Sequence, residues 1–215
     1  MQLTHAEVIN FRTLERVDVR IDPKATLIVG RNNSGKTSFV NFFEKFFGEE
    51  DTRFVLEDFS TCRIADIEQA RQIFGEAQSH AGRGDSATSE DLLAKAYDLV
   101  PAIQLVLTIQ YTEDDDLAPL TGVILDLDDT CFEVKIEAAL EVARPHDFLK
   151  DFWSASQREQ FDRIKWLRKN FSDYFAAAYR AVSPLHENVR KEIKRGAAES
   201  ILSVKFVYAQ TKMDD

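Results

Sequence analysis

The chain has 215 residues and a formal charge of −10, a length that suits one domain or one domain with an insertion. Its two cysteines, Cys62 and Cys131, lie far apart without metal-ligand spacing, which argues against a disulfide scaffold. No apolar run reaches the length of a membrane span and no secretory signal opens the chain, so the expected compartment is the cytoplasm, without membrane contact.

In chain order, residues 3–11 and 16–21 read as two strands joined by a tight turn, with Val17, Val19 and Ile21 on one face and Asp18 and Arg20 on the other. Asp22-Pro23 marks a turn. Ala25-Thr26-Leu27-Ile28-Val29 reads as a short strand leading into Gly30-Arg31-Asn32-Asn33-Ser34-Gly35-Lys36-Thr37. That octapeptide fits G-x-x-x-x-G-K-[ST], the phosphate-binding loop. Behind it, Phe39, Phe42, Phe43, Phe46 and Phe47 recur at helical spacing, and Gly48 can close the helix.

Strand, glycine loop and helix form the context that this motif requires. A triphosphate is held by converging main-chain N–H groups at the positive end of a helix. Gly30 and Gly35 permit the dihedrals of such a nest, and Asn32, Asn33 and Ser34 are small polar residues that tolerate the turn. Arg31 and Ser38 complete the expected binding segment. Lys36 is expected to reach the β- and γ-phosphates as the catalytic cation, and Thr37 to offer its hydroxyl to Mg2+. ATP and Mg2+ are the expected cofactors.

Beyond Gly48, Val55 to Phe59 reads as a short turn and Ile64 to Phe74 as helical. Gln78 to Ser89 is small and polar and reads as a flexible loop, with Ser89 capping a short helix through Tyr97. Residues 102–111 alternate as a strand with one wet face, and Glu113 to Asp116 form an acidic loop. Gly122 to Leu127 and Thr130 to Ala138 read as a hairpin around Asp128-Asp129, in an antiparallel sheet that extends from the first hairpin. From Asp147 to Gly196 the pattern turns helical: Ile164, Leu167, Phe171, Tyr174, Ala178 and Ala181 step by three or four. Ser183-Pro184 would end that helix and start the next. Val204 to Ala209 returns to strand character.

Asn10-Phe11-Arg12 in a hairpin, followed by the phosphate loop, resembles the amino-terminal end of RecF- and SMC-type ABC ATPases. It looks most like the overcoming-lysogenization-defect (OLD) family of ATP-dependent nucleases, including the Gabija-type defence ATPases. The resemblance implies an α/β P-loop NTPase of ABC/SMC type, whose mixed sheet carries an antiparallel β subdomain and a helical insertion. The corresponding division is an ATPase lobe over 1–145, an insertion over 146–198 and a return strand over 199–215, after which the chain reads as truncated. The resemblance also implies that Arg12 lies near the nucleotide, and that Gln110, at the end of a strand, approaches Mg2+ and the attacking water. A surface turn residue and a wet strand face are the plainer alternatives for these two.

Hydrolysis further needs a metal-holding Asp and a water-orienting Glu. Val123-Ile124-Leu125-Asp126-Leu127-Asp128-Asp129 resembles a Walker B strand, but its alternation suits a hairpin better. No Leu-Ser-Gly-Gly-type signature follows the phosphate loop. The expected protein is therefore an ATPase that needs a missing carboxy-terminal or Toprim part, or a separate subunit, for turnover. It would act as a homodimer or higher oligomer, coupled to DNA processing in an OLD-like anti-phage nuclease. A P-loop small-molecule kinase and a non-hydrolysing ATP-dependent assembly scaffold are the alternatives. Arg158 to Arg195 hold ten Lys/Arg against five Asp/Glu, so this segment could contact DNA, serve a subunit interface, or form an ordinary solvated face. The four histidines are scattered and make no zinc site.

Overall fold

The alternation of the first twenty residues becomes a hairpin in which β1 (Gln2–Phe11) pairs antiparallel with β2 (Leu14–Arg20). The computed structural model describes residues 1–32, 34–48, 53–125, 128, 130–202 and 204–205. Four more strands extend this hairpin: β3 (Ile103–Gln110), β4 (Glu133–Val142), β5 (Phe175–Val182) and β6 (Arg190–Ile193). They form one sheet of order β2-β1-β3-β4-β5-β6, and every registered pair is antiparallel.

The register explains which residues form the core. Val8, Leu105, Ala138 and Tyr179 are successive cross-strand partners, and all four are buried. Side chains alternate across a strand, so Ala6, Leu107, Ile136 and Ala181 point the same way. Onto this face packs α1 (Lys36–Phe47), with Phe39, Phe42, Phe46 and Phe47 buried as its spacing foretells. Each fully buried Phe contributes roughly 1.5–3 kcal/mol of transfer free energy, so the aromatic stripe fixes how α1 and its leading loop sit on the sheet. Helices α4 (Pro145–Ser156) and α5 (Arg163–Tyr174) reach the same face through Phe148 and Phe171, whose rings meet Phe175 at 5.6 and 4.6 Å.

Several expectations fail for physical reasons. Ala25 to Val29 forms no strand: Leu27 is 86% exposed and Val29 76%. A strand exists only beside a partner, and no described strand hydrogen-bonds to this one. The mixed character expected of the sheet is therefore not found among the described residues. The supposed flexible loop at 78–89 is mostly helical. It joins α2 (Thr61–Gly82) to α3 (Ser86–Asp98) through a turn at Gly84, whose φ of 81° suits glycine. Asp85, not Ser89, caps α3 by accepting from the Thr88 N–H, while buried Ser89 donates to the Ala77 carbonyl at 3.0 Å.

The helical pattern read through Ala181 stops at Tyr174. Phe175 to Val182 is a strand because it pairs along its whole length with β4, a tertiary gain that overrides the helix propensity of its alanines. Ser183 accordingly caps no helix, and its hydroxyl accepts from the Leu185 and His186 N–H groups in a turn. The expected insertion over 146–198 is thus partly sheet, and α6 (Arg195–Ile201) follows it. The expected hairpin at 122–138 is replaced by a β4 that pairs with β3 from its first residue, Glu133↔Gln110. Asp126, Leu127 and Asp129 of the Walker B look-alike, and most of the return strand, fall outside the described residues.

Candidate nucleotide site

The site is built where the β1–β2 hairpin meets the start of α1. Asn10 has a positive φ of 63°, a conformation asparagine tolerates better than most residues. The strand's alternation shifts there, so Phe11 rather than Asn10 joins Ala6 and Val8 in the core. The chain turns back at Arg12, whose φ of 52° is strained for a residue with a Cβ. What holds Arg12 there is Asp58. The Arg12 N–H donates to the Asp58 carbonyl at 2.8 Å, and its Nε and Nη2 donate to Asp58 Oδ1 at 3.1 and 2.9 Å.

Asp58 is fully buried. An unpaired carboxylate in that position would cost several kcal/mol, on the order of the penalty for any buried ion. Its second oxygen takes Lys45 Nζ at 2.7 Å and the Val55 N–H at 3.0 Å, so the charge is matched from two sides. Neither Asp58 nor Lys45 stood out in the sequence. Asp58 has no period and no motif spacing, and its partners are 46 and 13 residues away. The only signal was indirect, an acid set directly before the buried Phe59.

The phosphate loop lies against this tip. Gly35 ends it in a left-handed conformation with φ 87° and leads into α1. Its bare Cα lies under Leu14 and Thr13, where a Cβ would come within 2.5 and 3.1 Å of side-chain atoms. Lys36 Nζ folds back to donate to the carbonyls of Gly30 and Arg31, both at 2.6 Å, and lies 3.4 Å from Ser34 Oγ. The ammonium thus lies within the loop, held by its peptide oxygens.

Of the residues expected to bind nucleotide, Arg12, Asn32, Ser34, Gly35, Lys36, Thr37 and Ser38 line one cavity of about 520 Å³, with Thr13 beside them. Gly30 and Arg31 contribute carbonyls to Lys36 instead, and Asn33 lies outside the described residues. Among the described residues, the lining carries two cations and several hydroxyls but no carboxylate. The first N–H groups of α1 open on the same side without intrahelical acceptors, and they carry the positive end of the helix dipole. This constellation is complementary to a polyphosphate. The Thr37 hydroxyl lines the same cavity at the start of α1. No cluster of three His, Cys, Asp or Glu residues offers an alternative metal site among the described residues.

Gln110 is not brought to this cavity. It pairs with Gln2, and β1 runs nine residues from there to Phe11, about 30 Å at the rise of a strand. Its amide donates to Glu133 at 2.7 Å, beside a larger but shallow concavity of about 890 Å³ at that far end of the sheet. The expected metal and catalytic role for Gln110 therefore has no geometric support. The aromatic residues among the basic side chains of α5 are also committed: Trp166 stacks on Phe152 at 4.9 Å and on Tyr174 at 5.9 Å. Arg168 pairs with Glu57.

No match is found among curated proteins. Residues 1–194 match the family model described as an AAA ATPase domain, and this span contains the hairpin tip, the phosphate loop and Asp58. The chain therefore belongs to the AAA ATPase domain family and is an ATP-binding ATPase domain.

Proposed function

We propose that this chain is the amino-terminal, nucleotide-gripping lobe of an ABC-type ATPase related to the RecF, SMC and OLD families, and that it acts in DNA processing, as an anti-phage nuclease of the OLD kind would. The observation that carries the ATP-dependent part is the placement of Arg12, Lys36 and Thr37 on one cavity. The phosphate tail would lie along the first turn of α1, with Lys36 turning from the Gly30 and Arg31 carbonyls to the β- and γ-oxygens. Mg2+ bound at Thr37 would neutralise the charge that develops during phosphoryl transfer.

A carboxylate that orients water is required for turnover, and the described lining of the cavity contains none. In this reading hydrolysis takes place in an assembly, either a homodimer or higher oligomer or a complex with a second polypeptide bearing that group. The same observation favours a second reading, an ATP-dependent scaffold that assembles without hydrolysis.

Calorimetry with Mg2+ and a non-hydrolysable ATP analogue tests the first step: binding heat is expected for the chain and is lost in Lys36→Ala. ATPase assays on the chain alone and with its partner polypeptide test the second. A steady rate from the isolated chain, abolished by Lys36→Ala, would overturn the dependence on an assembly. Assembly on ATP with no phosphate release would favour the scaffold.

A further inference from the structure

The buried carboxylate of Asp58 touches neither the cavity nor solvent, yet it joins the two elements that form the cavity's walls. Through Oδ1 and its own carbonyl it clasps Arg12, the hairpin-tip residue, by side chain and main chain together. Through Oδ2 it clasps Lys45, on the same helix whose first turn carries Lys36 and Thr37. The Val55 N–H fixes the carboxylate plane. Arg12 is also cradled from below, with its guanidinium 4.8 Å from the Phe11 ring centroid.

We propose that Asp58 is a positioning residue for nucleotide binding, a buried two-sided clamp that holds Arg12 in its strained turn and presents it to the polyphosphate in the cavity that Lys36 also lines. This inference rests on the reading of the cavity as the ATP site. The argument is geometric. A positive φ at an arginine persists only where the surroundings over-determine it, and here three hydrogen bonds from Arg12 to one residue do so. Two guanidinium nitrogens donating to one carboxylate oxygen also set the orientation of the planar group, which a lysine at position 12 could not reproduce. Asp58 holds the guanidinium through Nε and Nη2, and the residue so held lines the cavity together with Lys36 and Thr37. The carboxylate thus does its work before any nucleotide arrives, by keeping a cation in place that would otherwise swing into water.

The test is a double-mutant cycle on the full chain, with Asp58→Asn and Arg12→Gln, read as affinity for a fluorescent Mg2+-ATP analogue below the melting midpoint. Asp58→Asn alone is expected to weaken binding roughly tenfold, as residues coupled in one network do. In the Arg12→Gln background it is expected to add less than about twofold, because the residue it positions is gone. A purely structural role would instead give additive losses. Gly75→Ala, a destabilising change at a remote helix contact, serves as comparator and is expected to lower the melting midpoint without changing affinity. If Asp58→Asn does not fold, Asp58→Glu keeps the charge, displaces it by one methylene, and is expected to show the same non-additivity. Wild-type affinity in Asp58→Asn, or additive losses, would overturn the clamp while the Lys36→Ala control still reports an ATP site. Absence of binding by the wild-type chain would overturn both.

Discussion

Gly35 and Leu14 approach so closely that a Cβ on the glycine would stand 2.5 Å from Leu14 Cδ2. The hairpin tip and the phosphate loop are therefore packed as one unit, and the glycine is required twice, for this approach and for its φ of 87°. Gly35→Ala is expected to cost about 1–3 kcal/mol of stability through strain and overpacking, and to abolish binding of the ATP analogue. Trimming the neighbour in Leu14→Ala/Gly35→Ala would relieve the clash but not the dihedral, so binding should stay lost. Calorimetry alongside thermal melts separates the two effects.

Tyr179 on β5 donates its hydroxyl to the Phe46 carbonyl at 2.9 Å, satisfying one of the last carbonyls of α1. Both groups are buried, and Tyr179→Phe leaves the acceptor without its donor. The expected cost is about 1–2 kcal/mol, measured as a lower denaturant midpoint with an unchanged slope. Since the loss falls at the far end of α1, nucleotide affinity should change little.

Helices α2 and α4 cross at Gly75, where a Cβ would meet Trp153 Nε1 at 2.6 Å. Gly75→Ala is expected to destabilise by about 1–3 kcal/mol despite the better helix propensity of alanine. Combining it with Trp153→Leu should return part of that loss, because the obstructing ring is removed. Trp153 emission before and after the change reports whether the indole has moved.

Asp85 caps α3, and its carboxyl is held below the ordinary 3.8 by hydrogen bonds from Thr88 first and His80 second. A depressed carboxyl contributes stability above its unfolded pKa and loses it as pH falls through the lower folded value. Amide protection in the first turn of α3 should therefore be constant from neutral pH to about 4 and decline below it. Asp85→Asn, an uncharged cap of similar shape, should show no such decline in hydrogen exchange.

Local pattern reveals what local forces decide. The β1–β2 hairpin, the aromatic face of α1 and the phosphate loop were all legible, because period-2 alternation, period-3.6 spacing and paired glycines each arise within a dozen residues. Phe175 to Val182 was misread because its strand depends on β4, more than thirty residues earlier. Asp58 was missed for the same reason: a buried ion pair leaves no trace until the two ends of the fold meet. The placing of Gln110 failed differently. Its strand was recognised, but a strand's sequence does not tell which end lies by the phosphate loop. Only the Gln2↔Gln110 register does that.

Leu27 and Val29 stand exposed on the segment that feeds the phosphate loop. Exposed apolar side chains in a run rich in β-branched residues are the ordinary makings of an interior strand. Any polypeptide that zipped onto this segment would stiffen the approach to Gly30, so ATP would meet a loop whose ordering had already been done. By thermodynamic reciprocity, ATP would then tighten the grip of that polypeptide in equal measure. With such a pairing, nucleotide occupancy and quaternary assembly would become two readings of a single equilibrium.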